Sequence, residues 1–347
     1  RTRCNKDRTM VTNDTLPPPE KVVPYETVDG ANGGALYLYG NSDAPNIAVC
    51  CAGYPDDHSI FQSFASRLAK EGDCLVGVMC LPGFDDREEK PWTTHKHDGY
   101  IFDDMVISVR GAVKALRAAS THDDSKITGI FHDWGVVPGS LWVNRVLEEA
   151  ESPELQPDKM IYFDVLLPPH KVMKNDIPDA PKRTPARTVV EIFYKIVLAI
   201  SFLLQQYVSK ILGVIFYSLG AVAIYILRLN PLYDVDNKVL RAHQKPLNRT
   251  IYMAYPYWFL VKSVLNGTLW AYEMSLHKDL KKTPLLYIYG GNKRTHFHEN
   301  ESVALLEREE REGRSDSKVI CLEDDGHFFY VTNEDACLDA VASFMKN

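Results

Sequence analysis

An aspartate, Asp133, stands in Phe131-His132-Asp133-Trp134-Gly135, where the apolar run Lys126 to Phe131 ends and a helix-patterned run begins. A polar side chain on a sharp strand-to-helix turn is held out above the end of a sheet. A carboxylate in that position is already ionised at neutral pH, so it attacks a carbon electrophile without first losing a proton. Its other available role is structural, since an aspartate ahead of a helix also serves as the N-cap. His327, in Asp325-Gly326-His327-Phe328-Phe329, falls between the last strand-like run and the last helix-like run. Imidazole is the side chain suited to proton transfer near neutral pH, although a lone histidine is also an ordinary structural residue. Asp164 closes Met160-Ile161-Tyr162-Phe163-Asp164, where the bland reading is a plain strand-end acid.

The elements that must carry these groups follow from the apolar pattern. Strand-like runs are Ala35 to Tyr39, Ile47 to Ala52, Cys74 to Leu81, Lys126 to Phe131, Met160 to Leu166, Leu285 to Tyr289 and Val319 to Glu323. Helical spacing marks Ile60 to Ala69, Asp103 to Ala119, Val136 to Glu149, Ser302 to Arg311 and Glu334 to Met345. Strands alternating with amphipathic helices predict an α/β protein with a mostly parallel, doubly wound sheet. The alternation fails after residue 166 and resumes at Pro284, which predicts one core domain (26–166 and 284–347) with an insertion (167–283) rather than two domains in tandem. Residues 1–25, with Pro17-Pro18-Pro19, read as an extended N-terminal arm.

The insertion is very apolar. Between Val189 and Leu204 the only charges are Glu191 and Lys195, and from Ile211 to Leu227 there are none. A helix apolar all round must be hidden from water on every side. The segment 189–227 is therefore expected to contact a membrane, as a hairpin turning near Gln205 and Gln206 or as two helices in the interface, or else to meet a membrane-protein partner. The bland alternative is a greasy lid packed on the core.

Across all 347 residues, 45% are apolar and 24% charged, which excludes a disordered chain; the formal charge of -7 gives no attraction for nucleic acid. No two cysteines have zinc-ligand spacing, Cys50 and Cys51 being adjacent, so no metal site is expected. Cysteines in strand-like runs suit a reducing compartment, with the sequons at Asn13, Asn248, Asn266 and Asn300 too short a signal to overturn that. The expected location is an intracellular organelle membrane.

Four segments in chain order resemble epoxide hydrolases and haloalkane dehalogenases of the α/β-hydrolase superfamily. His132-Asp133-Trp134-Gly135 looks like their nucleophile turn, Ala52-Gly53-Tyr54-Pro55 like the HGxP loop, Leu81-Pro82-Gly83-Phe84 like the PGF-type turn, and Asp325 to Phe329 like the C-terminal GHF segment. The resemblance implies the α/β-hydrolase fold with a helical cap inserted after the sixth strand. It implies Asp133 as nucleophile, His327 as the base that activates water, and the amides of Tyr54 and Trp134 as oxyanion hole. The third triad member is implied to be Asp164, because Gly290-Gly291-Asn292-Lys293-Arg294 lacks the acid that many relatives carry there; Glu299 and Glu301 are the alternatives. Cap tyrosines that would protonate an opening epoxide are sought among Tyr252, Tyr255 and Tyr257. No cofactor is implied.

The chain departs from the family in Ala52, in place of the loop histidine, and in Phe131, in place of the small residue two before the nucleophile. Tyr54 replaces the asparagine that some dehalogenases use to hold halide. The expected function is hydrolysis of a lipophilic epoxide through an aspartyl ester. The alternatives are a catalytically inactive subunit of a membrane-associated complex and, third, a haloalkane dehalogenase.

Overall fold

The computed structural model describes residues 17–85, 96–148, 153–176, 180, 185–226, 234–293 and 295–346. Among these residues there are ten strands: β1 Lys21–Thr27, β2 Gly30–Tyr39, β3 Asn46–Cys51, β4 Cys74–Met79, β5 Lys126–His132, β6 Lys159–Phe163, β7 Val165–Leu166, β8 Leu285–Gly290, β9 Phe297–His298 and β10 Lys318–Leu322. Eight form one sheet in the order β1-β2-β4-β3-β5-β6-β8-β10, and β7 pairs with β9 beside it. The sheet is parallel from β4 onward and antiparallel at β1, β2 and β4. Every residue of β4, and all but the first of β3 and β5, is buried, as befits parallel strands covered on both faces.

The cover comes from helices α1 Gln62–Glu71, α2 Phe102–Ala119 and α3 Val136–Glu148, with α9 Asn300–Arg311, α10 Phe329–Thr332 and α11 Glu334–Lys346 from the C-terminal part. Phe64 and Leu68 of α1 share one apolar layer with Val341 and Phe344 of α11. On the opposite face, Val109 and Val113 of α2 meet Leu141 and Trp142 of α3. This is the doubly wound α/β architecture that the alternation predicts.

Among the described residues, five α-helices lie between β7 and β8: α4 Pro185–Tyr207, α5 Lys210–Ile226, α6 Asp234–Ala242, α7 Leu247–Met253 and α8 Tyr255–Leu265. They form a cap over the ends of β3, β5 and β6. Arg249 in α7 donates to the carbonyl of Phe84 at 2.5 Å, and Lys245 pairs with Asp57, so the cap is bolted to the loops after β3 and β4.

Three local readings need correction. Residues 21–25 of the expected arm belong to β1, which pairs with β2 along the sheet edge; residues 1–16 lie outside the described part. The run Met160 to Leu166 is not one strand, because Asp164 takes φ 66° and splits it into β6 and β7. The turn between α4 and α5 falls at residues 208–209, since Gln205 is still helical and buried, its Nε2 donating to the carbonyl of Asn248 at 2.7 Å.

Candidate active site

β5 ends at His132 and Asp133 follows with φ 51°, a left-handed backbone that costs an aspartate on the order of 1–3 kcal/mol. The bend is held from the neighbouring loop. Tyr54 donates its backbone N–H to Oδ2 of Asp133 at 2.8 Å, and the amide of Trp134 donates to the same carboxylate. Gly53 makes this approach sterically available: a Cβ there would run into the Trp134 amide and stand 2.9 Å from Cβ of Asp133. The two amides expected to form an oxyanion hole therefore converge on Asp133. The N-cap alternative does not describe it, because its carboxylate is spent on Tyr54 from another loop as well as on the turn itself.

Phe131 fits beside this turn because Gly139 faces it from α3; a Cβ at 139 would lie 2.7 Å from the ring.

His327 sits on the loop after β10, held by Asp236 of α6, whose Oδ1 accepts the Phe328 amide at 3.2 Å. Its Nδ1 donates to Oδ2 of Asp164, which leaves Nε2 as the nitrogen able to take a proton. Its ring lies 4.4 Å from that of His132, tilted by 45°, His132 being next to Asp133 in sequence, and the charges of Asp133 and His327 perturb each other. Asp164 is reached at Oδ1 by the Lys293 ammonium, whose side chain is wholly buried, and by the Gly290 amide at 3.3 Å. Of the carboxylates in the described residues, Asp164 is the one hydrogen-bonded to His327; Glu299 instead lines a cavity and Glu301 opens α9.

The electrostatics separate these groups. Burial raises the Asp133 pKa, and the His327 charge with the two amides offsets only part of that. Burial alone would lower His327, but the Asp164 charge and hydrogen bond raise it above its ordinary 6.5. Burial would raise Asp164, yet Lys293 and His327 hold it well below the usual carboxylate range. His132, buried and facing His327, is driven well below 6.5 and stays neutral.

A cavity of about 420 Å³ opens onto Asp133 and Trp134. Its walls include Val137, Leu260, Met274 and, from α4, Tyr194. Of the three cap tyrosines singled out in the sequence, the structure brings Tyr257 against Trp134 and Tyr54, beside this cavity and not among its lining residues. Its ring lies 4.9 Å from that of Trp134 and 5.2 Å from that of Tyr54. Tyr252 and Tyr255 are instead committed elsewhere, their hydroxyls donating to the carbonyls of Lys96 and Pro82 at 2.8 and 2.9 Å.

Four participants escaped sequence reasoning. Lys293 reads as an exposed loop cation, Tyr194 as part of an apolar helix, and Asp236 as a helix-start acid. The fourth is Asp56, buried in the loop after β3 with Oδ2 lacking a protein partner among the described residues. Burial and neighbouring Asp57 push its pKa to about 8, so it is mostly protonated at neutral pH beside Asp133 and His327. His58, Cys80 and Asp85 bring metal-type ligand atoms within 4.8 Å of one another, through positions too scattered to read in sequence. The Cys80 sulfur already accepts the His58 amide, and burial raises its thiol pKa far from the thiolate a metal needs.

No family model and no curated protein sequence matches the chain. Solved structures do. Potato epoxide hydrolase superposes with a TM-score of 0.59 at 14% identity, covering 94% of this chain and 99% of that one. The Bacillus megaterium epoxide hydrolase gives 0.56 at 16%, covering 93% and 100%. A loop variant of a haloalkane dehalogenase from Bradyrhizobium elkanii gives 0.56 at 13%, covering 94% and 96%. At such identities the likeness is one of fold.

Proposed function

We propose that this chain, an α/β-hydrolase-fold protein built like the epoxide hydrolases and haloalkane dehalogenases, hydrolyses a lipophilic epoxide through an ester on Asp133. The observation that carries the reading is the convergence of the Tyr54 and Trp134 amides on the Asp133 carboxylate, at the floor of a largely apolar cavity.

In the first step, one Asp133 oxygen attacks an epoxide carbon, the C–O bond of the ring breaks, and the departing oxygen takes a proton. Tyr257, beside Trp134, is assigned as the donor of that proton, with Tyr194 of the cavity wall 6.1 Å from it ring to ring. In the second step, water gives its proton to Nε2 of His327 and attacks the ester carbonyl. The oxyanion forms where the Tyr54 and Trp134 N–H groups already point. As it collapses, the ester C–O bond breaks, the departing oxygen takes the hydroxyl proton of the intermediate, the diol leaves with Asp133 regenerated as a carboxylate, and the proton held on His327 returns to the tyrosine. Asp164 orients the imidazole and stabilises it once protonated.

The test is a single turnover in heavy-oxygen water with an alkyl epoxide. Label in the Asp133 peptide supports the ester; diol formed with that peptide unlabelled sinks it.

One observation favours a second reading, a catalytically silent subunit. Lys293 already neutralises Asp164, which weakens the support Asp164 can give to a cationic His327. Under that reading no epoxide turns over and Asp133→Ala leaves partner binding intact.

A further inference from the structure

The outer side of the cap carries an apolar face that the proposed chemistry does not use. On α4, Val189, Ile192, Ile196 and Ile200 recur at helical spacing and are 37–58% exposed. On α5, Ile211, Ile215, Leu219 and Val222 form a parallel stripe 49–71% exposed, and no charged residue occurs from Ile211 to Ile226. Exposed apolar patches of this extent mark a surface that meets something other than water.

The pair is rigid. Gly213 and Gly220 let the two helices close together, a Cβ at 213 falling 2.6 Å from Gln205 and one at 220 striking Val197. Two hydroxyls on the pair are satisfied within their own helices: Ser218 donates to the Val214 carbonyl at 2.8 Å and Ser201 to that of Val197 at 2.7 Å. A protein partner normally finds about one hydrogen bond per 100–200 Å² to set its register. This face has almost none to give, whereas hydrocarbon demands none.

Charge selects the kind of bilayer. The face is uncharged and the chain carries -7 overall, which complements a zwitterionic surface and not an anionic one.

The orientation follows from how the hairpin is tied down. Thr188–Tyr207 is long and apolar enough to cross a membrane by length and composition. Yet its inner side holds Glu191, Tyr194 and Lys195 on the cavity wall. The turn is also moored to the core: the Tyr207 hydroxyl donates to Asp98 at 2.7 Å and His97 Nε2 bonds the Gln206 carbonyl at 2.7 Å. A hairpin tethered at its tip cannot plunge tip-first, so it presents its long side.

We propose that the outer face of α4 and α5 docks on a neutral phospholipid bilayer with both helices lying in the plane of the interface, leaving α4 as the single wall between lipid and cavity. Given the proposed epoxide chemistry, on which this clause rests, the substrate is a molecule dissolved in that bilayer.

The full chain is sedimented with phosphatidylcholine vesicles, alone and with phosphatidylglycerol added, in low and high salt. Binding to the neutral vesicles is expected, changing less than about twofold with salt and falling at least about tenfold in the double variant Ile215→Asp, Leu219→Asp. Both positions are exposed, and circular dichroism of the variant confirms that it folds. Failure to sediment with phosphatidylcholine overturns the proposal, as does binding that needs anionic lipid and vanishes in salt. So does a dimer in the ultracentrifuge that the double variant abolishes, which would assign the face to a second copy. Turnover of an alkyl epoxide by the parent chain is assayed in parallel: vesicle binding without turnover leaves the docking intact while the ester reading fails, and turnover without vesicle binding does the reverse.

Discussion

Lys293 forms a buried ion pair with Asp164, its ammonium on Oδ1 while Oδ2 takes the Nδ1 proton of His327. The lysine's charge lowers the His327 pKa even as Asp164 raises it, so the two set the pH at which the imidazole becomes free to accept a proton.

A base works only when neutral. With His327 raised above 6.5, the acid limb of kcat/KM is expected above pH 6.5. Lys293→Gln keeps a donor to Asp164 but removes the opposing charge, and the limb should move further up by about one pH unit. A pH–rate profile that stays put or moves down shows that Lys293 does not tune this histidine.

Asp164→Asn leaves the imidazole without its anionic partner. The expected loss in kcat is on the order of 10³–10⁴-fold, with KM little changed and the acid limb shifted below that of the parent. Steady-state kinetics on the same epoxide decide it; an unchanged kcat would make Asp164 a structural acid only.

Among the tyrosines, Tyr257→Phe is expected to lower ring opening by about 10²-fold. Tyr252→Phe should leave the chemical step close to the parent, since that hydroxyl is spent on the Lys96 carbonyl. Burst kinetics of ester formation separate the two, and equal losses would refute the assignment.

Asp56 has a folded pKa of about 8 against 3.8 for a free carboxyl. Between those values the folded chain holds a proton that the unfolded chain has lost, so the stability tied to this group is complete at acid pH and drains away as pH rises to about 8. The slope is about 1.4 kcal/mol per pH unit at most. Asp56→Asn cannot lose a proton, so its advantage over the parent in urea denaturation should grow from pH 5 to 8 and then level. A difference that is flat with pH would contradict the buried protonated acid.

Gly53→Ala tests the bend itself. The added methyl collides with the Trp134 amide and crowds Asp133, so turnover should be lost together with roughly 1–3 kcal/mol of stability. A variant as active as the parent would show that the turn has slack.

Much of this site was legible because its residues sit where pattern changes. Asp133 marks the switch from strand to helix spacing, and His327 lies in the gap between β10 and α11. What was not legible depends on tertiary contact. Lys293 looks like any loop lysine until Asp164 folds back on it, and Asp164 does so by breaking a run that reads as one strand. Pro24 and the charged flanks of β1 resemble an arm, yet a proline is acceptable on an edge strand, where β1 lies. Tyr257 could not be told from Tyr252 and Tyr255 because all three share one short segment and differ only in what their hydroxyls and rings meet.

The close fit of Phe131 against Gly139 makes the side-chain volumes at these two positions depend on each other. A larger residue at 139 is tolerated only on a background already trimmed at 131, and a glycine at 131 opens a void unless 139 grows.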